Sequence, residues 1–540
     1  MTARVRRTAL ALLAGLAVLV TATGTAAADD NTGDRTGGSR PAGRAAYTTI
    51  EGTGSTWSEL IVQKWIADVD ANGMKVVYTG GGSSKGRKDF AQATNDFAIS
   101  EIPYQGVDEQ GNQDKSDRPY AYLPIVAGGT AFTYQLKVGG KLVRNLRLSG
   151  ETIAKIFTGQ VTNWNDAAIT KDNNGRAFPS LPITPVVRSD GSGTTAQFTT
   201  WMDDQYPSIW RPYFGKSGLT SYYPRKSGSR MVAQSGSDQV MNTVKGFAGN
   251  GTIGYVEYSY PVNANYPVVK VLNKSGFYVE PTQYNTAVAL TKAQINPTTL
   301  TQDLRGVYAN ADPRAYPISS YSYMIIPTGG SDARMTTAKR QTLADFIYYS
   351  LCGGQTSAGS YGYSPLPLNL VQAGFDQVAK LKAADAAVNL TDRDVRSCNN
   401  PTFDGKNLKS NVLAKKAPQP AACDKVGAGP CGTDTGTGKP STDGAAPTDG
   451  APAPDAAAGA APPPAQADPE TGALPAAGGT GTPAATEVYA NPTLVADRKG
   501  DQRPFGVLAV LELCALVIVP GVVSMLLRRR RAARATGPVA

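Results

Sequence analysis

An α/β fold with largely parallel sheets is what this 540-residue sequence predicts. Three observations point to it. Between Ala46 and about Leu413, strand-like apolar runs alternate with amphipathic helical stretches. Three Gly/Ser/Thr clusters in that region share one layout, with a strand or turn before and a helix after. The composition changes abruptly on both sides, which sets the globular region apart from what flanks it.

The runs Met74 to Tyr78, Ala121 to Val126 and Ile183 to Val187 are rich in β-branched and aromatic residues and read as strands. Glu59 to Val69 and Thr195 to Met202 carry apolar residues at helical spacing. Before this region, residues 1–28 combine Arg4, Arg6 and Arg7, an apolar run from Ala9 to Val20, and Ala26-Ala27-Ala28, the pattern of a cleaved secretory signal peptide. Residues 29–45 form a polar, Gly/Arg-rich leader expected to be flexible.

From 414 to 500 the chain turns to Ala, Pro, Gly, Thr and Asp with almost no aromatics, too little apolar surface to fold, so a disordered linker is expected. As a coil of roughly 85 residues it would hold the globular region on the order of 50 Å from the membrane. Residues 505–527 are apolar apart from Glu512 and long enough to cross a bilayer. Arg528 to Arg531 open a basic tail (528–540), which places the C-terminus in the cytoplasm and the globular region outside. Much of the formal net charge of +10 sits in the signal peptide and this tail, so it implies no nucleic-acid footprint.

Cys352, Cys398, Cys423 and Cys431 fall in the exported part and Cys514 in the span. Pairing Cys352 with Cys398 and Cys423 with Cys431 suits an oxidising compartment, although four cysteines allow three connectivities. Metal-ligand spacing is absent. The chain contains no histidine. That excludes a Ser-His-Asp triad, a Cys-His dyad and any His-ligated zinc, so neither an enzyme nor a cofactor is expected. Gly82-Ser83-Ser84-Lys85-Gly86 fits the nucleophile-elbow pattern but has no histidine to act as base. Gly81 to Arg87 resembles a P-loop, yet Arg87 replaces the lysine and no hydroxyl residue follows it.

The three clusters are Gly52-Thr53-Gly54-Ser55-Thr56-Trp57, Gly80-Gly81-Gly82-Ser83-Ser84-Lys85-Gly86, and Arg188-Ser189-Asp190-Gly191-Ser192-Gly193-Thr194-Thr195. Glycine lets backbone approach a ligand, and hydroxyls with free N–H groups at a helix start aim donors at one point, where the helix dipole favours an anion.

These loops, with Asp96-Phe97-Ala98-Ile99-Ser100-Glu101, resemble in order the binding loops of phosphate-specific substrate-binding proteins of ABC transporters. Ile156-Phe157-Thr158-Gly159-Gln160-Val161-Thr162-Asn163-Trp164-Asn165-Asp166, Ile253-Gly254-Tyr255-Val256-Glu257-Tyr258 and Tyr316-Pro317-Ile318-Ser319 extend the likeness over roughly 47–385. The resemblance implies a two-lobed, type II periplasmic-binding-protein-like domain over 46–413. Lobe 1 would take about 46–123 and 316–400, lobe 2 about 124–315, with crossover strands near Pro124 to Ala127 and Tyr316 to Ser319. It also implies a buried phosphate or related oxyanion held by Ser55, Thr56, Trp57, Ser83, Glu101, Arg188, Asp190, Ser192, Gly193 and Thr194. Arg188 would give charge-assisted bonds and Asp190 would orient it.

Glu101 stands where the family usually has aspartate, and Trp57 where phenylalanine is common. A carboxylate beside a bound anion is repulsive unless the anion carries a proton, so Glu101 would favour hydrogen phosphate over sulfate. The implied partners are permease subunits of an ABC importer and the membrane, with a monomeric receptor. A second reading is a surface sensor or interaction protein reusing the fold, motivated by the long linker, the C-terminal span and the lack of a lipid-attachment cysteine after the signal peptide.

Overall fold

The strand runs anticipated from composition fall in one continuous mixed sheet, most deeply buried at its four central strands. The computed structural model describes residues 47–432 apart from Glu109 and Asp392. Its main sheet has eight strands, numbered in chain order: β1 (Ile50–Gly54), β2 (Val76–Gly80), β3 (Phe97–Ser100), β4 (Tyr120–Tyr134), β5 (Thr184–Arg188), β6 (Val232–Gln234), β7 (Thr252–Glu257) and β8 (Ser319–Pro327). Their spatial order is β6-β5-β7-β4-β8-β3-β1-β2.

Two parallel triplets stand at the ends of this order. β1 pairs in parallel with β2 and β3, and β5 pairs in parallel with β7 and β6. Between them runs the antiparallel pair β4 and β8. β4 pairs with β8 as far as Gly129 and with β7 from Thr130 onward, so a single strand serves both triplets. The molecule is therefore two-lobed, and these two strands are the connection. The Ala121 to Val126 run is the first half of β4. The strand continues because Gly128 and Gly129 permit a close approach that no side chain would. A Cβ on Gly128 would lie 2.6 Å from the Trp57 ring and 2.8 Å from Glu257 Oε1, and one on Gly129 would lie 2.4 Å from Pro281.

Helices cover the triplets in the expected alternation: α1 (Glu59–Asp70) and α2 (Ser83–Ala91) in the first lobe, α3 (Gly193–Gln205) and α4 (Gly236–Lys245) in the second. α1 buries Ile61, Val62, Trp65 and Val69, one apolar stripe, and Trp65 Nε1 donates to the Gly354 carbonyl at 2.9 Å. α5 (Thr337–Leu351) and α6 (Leu368–Ala384) return to the first lobe. The second lobe is built on an aromatic cluster in which Phe198 meets Phe132, Phe157 and Tyr255 with ring centroids 5.0–5.1 Å apart.

Disulfides join Cys352 to Cys398 and Cys423 to Cys431. The second lies beyond Ala414, where composition places the start of the linker, and the boundary is corrected accordingly: the folded chain runs on to Gly432. Leu413, Ala414, Ala417 and Cys423 are buried, Arg314 Nη1 donates to the carbonyls of Ala414 and Ala417, and Lys270 pairs with Asp424 at 2.8 Å. A short ion-paired and disulfide-closed segment can be ordered without the apolar content that folding alone demands. The expected signal peptide, leader, remaining linker, span 505–527 and basic tail lie outside the described residues. Among the described residues no helix is long and apolar enough to cross a membrane.

Phe198→Ala removes the ring at the centre of the second lobe's aromatic cluster. It should lower unfolding stability by about 3–5 kcal/mol in a urea titration followed by tryptophan fluorescence.

Candidate functional site

The three glycine–hydroxyl clusters are the turns that leave β1, β2 and β5 at their C-terminal ends, so sheet topology alone carries them to one seam. At the first turn, Gly54 has a φ of 140° and its Cβ would lie 2.1 Å from the Ile99 carbonyl, which excludes any other residue. Three tyrosine hydroxyls then pin three successive carbonyls: Tyr78 on Ser55 (2.8 Å), Tyr260 on Thr56 (2.5 Å) and Tyr363 on Trp57 (2.7 Å).

The lobes meet through these turns. The Ser84 amide donates to the Gly191 carbonyl at 3.0 Å. The Gly193 amide, at the start of α3, donates to Ser83 Oγ at 3.2 Å, and Ser83 Oγ in turn donates to Glu101 Oε2 at 2.7 Å. Gln197, one turn into α3, donates to the Glu101 carbonyl at 2.7 Å. Thr56 Oγ1 lies 3.1 Å from Ser237 Oγ and accepts from the Ser237 amide at 3.2 Å. Arg188 Nη1 donates to the same Ser237 hydroxyl at 3.2 Å. Its Nε donates to Asp190 Oδ1 at 2.7 Å and its Nη2 to Asp190 Oδ2, a two-pronged pair that fixes the guanidinium plane.

Both charged groups are buried, Glu101 completely and Arg188 to within 2 %. Burial raises the Glu101 carboxyl above its ordinary value, while hydrogen bonds from Ser55, Ser83 and Ser322 pull it part of the way back. Burial works against the charged Arg188 too, but Asp190 more than offsets it and the net shift is upward. The seam thus holds a fixed cation, a carboxylate and several hydroxyls away from bulk water.

Thr56, Ser83, Glu101, Arg188, Asp190 and Gly193 are brought together by direct contacts. Ser55 joins them through Glu101. Thr194 sits at the same helix start, and its hydroxyl is buried with no hydrogen-bond partner among the described residues. Two expected site residues also make structural contacts with their side chains. Ser192 Oγ caps α3 by accepting from the Thr195 amide at 3.2 Å. The Trp57 ring packs edge-on against Tyr363 beneath β4, so Trp57 brings its backbone to the seam.

Ser237 and Ser322 were not anticipated. Ser237 heads α4 in Ser235-Gly236-Ser237, a fourth turn with the same glycine–hydroxyl layout that follows a strand of only three residues. Gly236, at φ 78°, donates its amide to Asp190 Oδ1 at 3.1 Å. Ser322 lies on β8 and has no local motif. Glu257, at the end of β7 where the crossover begins, is also fully buried. Its Oε2 accepts from the Ser259 amide at 2.5 Å and its Oε1 has no partner among the described residues.

The profile of the family described as "PBP superfamily domain" matches residues 39–353, more than half of the chain. The phosphate-binding protein PstS of Methanocaldococcus jannaschii is 31% identical over 358 residues, covering 64% of this chain and 90% of that protein. This chain is a PstS-like member of the PBP superfamily. The phosphate-binding protein PstS 2 of Mycobacterium tuberculosis is 28% identical over 392 residues, covering 71% of the PstS-like chain and 98% of the relative. Among solved structures, a high affinity periplasmic phosphate-binding protein (PfluDING) bound with phosphate is similar at a TM-score of 0.46 and 19% identity. That match covers 62% of the PstS-like chain and 93% of the other.

Two outcomes test this geometry in the PstS-like protein. A Cβ on Gly193 would fall 2.0 Å from Glu101 Oε2 and 2.5 Å from Ser83 Oγ. Gly193→Ala should hold the lobes apart, read as an increased radius of gyration by small-angle X-ray scattering. Burial raises Glu257 well above the ordinary glutamate range, so its contribution to stability is full below that range and is lost as pH rises through the folded value. The melting temperature of wild type should therefore fall more steeply from pH 5 to pH 8 than that of Glu257→Gln, which cannot ionise.

Proposed function

We propose that this protein binds inorganic phosphate, in its protonated form, in the seam between its lobes, and that it delivers the anion to an ABC importer. The observation that carries the reading is the Thr56–Ser237–Arg188 chain of contacts standing beside the Gly193–Ser83–Glu101 chain. Each chain crosses from one lobe to the other, so an anion that satisfies both would be favoured only when the lobes are shut, which is the logic of a hinged receptor. The Arg188 guanidinium supplies the cationic charge and the α3 start with Thr194 supplies donors. Ser55, Thr56, Ser83 and the Trp57 backbone complete the set, and Glu101 accepts the proton that hydrogen phosphate carries and sulfate lacks.

Ligand capture is supported by a seam in which Ser83, the hydroxyl paired with the Glu101 carboxylate, also accepts from the Gly193 amide of the other lobe, so that this pair ties the lobes together. The relatives' names, phosphate-binding protein in each case, support the same ligand. The finer placement is part of the proposal. A signal peptide at 1–28, a linker from the end of the folded region to 500 and a span at 505–527 would leave the binding domain outside the cell. There a monomeric, single-pass receptor could meet permease subunits.

Isothermal titration of the purified full-length protein should show one-to-one phosphate binding and no heat with sulfate. Arg188→Ala removes the cation of the seam and leaves the part-buried Asp190 without its counter-charge, and phosphate affinity should fall by more than about 100-fold. Heat with sulfate equal to that with phosphate in wild type would overturn the specificity assigned to Glu101.

A further inference from the structure

Ser322 owes its position to the register between β8 and β3, next to an irregularity in the hinge. β4 and β8 pair regularly from Gly129 with Ser319 to Val126 with Ser322, but the next pair is Pro124 with Tyr323, so Ile125 is an extra residue. Pro124 has no amide hydrogen to give the ladder, which suits it to such a break. The bulge bends β4 at this point, while β8 runs on without an inserted residue. Tyr323 pairs with Ser100, the last residue of β3, and Glu101 follows directly. Ser322, one step back, therefore stands level with Glu101, and its Oγ donates to Glu101 Oε1 at 2.9 Å. Ser58 Oγ, just before α1, lies 3.2 Å from the same hydroxyl.

The two carboxylate oxygens thus have separate keepers. Ser83 holds Oε2 on the side of α3, where it abuts Gly193, and Ser322 holds Oε1 on the side of the hinge. We propose that Ser322 is a positioning residue that sets anion specificity, because its hydroxyl keeps Glu101 oriented and able to accept a proton from the ligand. This deepens the phosphate reading above and rests on it.

Other ionisable groups near Glu101 cannot take over that task. Tyr78 on β2 and Tyr323 on β8 are buried phenols whose own ionisation is suppressed by burial first and by Glu101 in addition. Arg87 on α2 reaches Ser100 at 3.0 Å but is paired with Asp114. Glu59 on α1 accepts from the Gly80 amide, and Arg188 is paired with Asp190. α3 meets Glu101 with the uncharged Gly193 and Gln197; further along it Asp203, paired with Arg211, and Asp204 line a cavity shared with Glu101, as do the paired Asp303 and Arg305. With the Ser322 hydroxyl removed, a donor that favours the ionised form is lost while burial still opposes it, so Glu101 retains its proton to higher pH. A neutral Glu101 offers a donor, and a fully deprotonated tetrahedral anion is no longer rejected.

The test is titration calorimetry of the full-length protein with phosphate and with sulfate from pH 5 to pH 9, for wild type, Ser322→Ala, Ser322→Thr and Ser322→Val. Threonine and valine have the same shape and differ in the hydroxyl, so that pair decides the matter even where alanine impairs folding. Alanine and valine should weaken phosphate binding by about 10-fold or more, the order expected for a hydrogen bond to a charged group. Both should gain sulfate binding that grows as pH falls, and threonine should restore the wild-type profile. Wild-type phosphate binding with an unchanged pH profile and unchanged sulfate exclusion in the valine variant overturns this role for Ser322 alone. No phosphate heat in wild type overturns the phosphate reading and this inference together.

Discussion

Two opposite charges have to remain useful inside a seam that excludes water, and the rest of the architecture follows from that requirement. A buried guanidinium or carboxylate without partners is heavily penalised. Arg188 is therefore gripped by Asp190 on two of its nitrogens and by Ser237 on the third, and Glu101 is surrounded by serine hydroxyls from β8 and from the turns after β1 and β2. Neither set of partners comes from one stretch of chain. Several turns must meet at one place, and the parallel triplets achieve this because all strands in a triplet end on the same side.

The hinge is designed around the same seam. β4 exchanges β8 for β7 between Gly129 and Thr130, and the residues on either side of that exchange touch the binding loops. Trp57 packs against Gly128, Tyr260 binds the Thr56 carbonyl from just beyond β7, and Tyr363 holds the Trp57 carbonyl. In the proposed receptor, a rotation about the crossover strands would act directly on the loop that carries Thr56, so that closure would also assemble the site.

What could be read from the sequence was what is encoded locally. Glycine followed by hydroxyl residues before an apolar helix identifies a donor-rich turn wherever it occurs, which is why the three clusters stand out in the sequence, while the roles expected of Ser83, Gly193 and Arg188 came from the family resemblance. Ser237 has the same local form and was missed because β6 is too short to register as a strand. Ser322 could not have been found this way, since its place beside Glu101 depends on the register between β8 and β3, which brings together residues more than two hundred positions apart. Segment 414–432 misled for the opposite reason. Its composition resembles a linker, and its order comes from Arg314, Lys270 and a disulfide, partners that composition does not reveal.

The glutamate at position 101 shows how a single methylene propagates through such a site. A longer carboxylate must be accommodated where the lobes touch, and it lies against Gly193 at a point where any Cβ would be 2.0 Å from Oε2. Glycine at the head of α3 therefore does two things: it exposes an amide toward Ser83 and it leaves room for the carboxylate. The other oxygen is turned toward the hinge, where the register of β8 on β3 places Ser322. The carboxylate proposed to discriminate between tetrahedral anions is thus held by Ser83, which meets the helix start of the other lobe, and by a crossover strand. Under that proposal its orientation is correct only when both are in place, so selectivity, like affinity, would belong to the closed arrangement of the lobes.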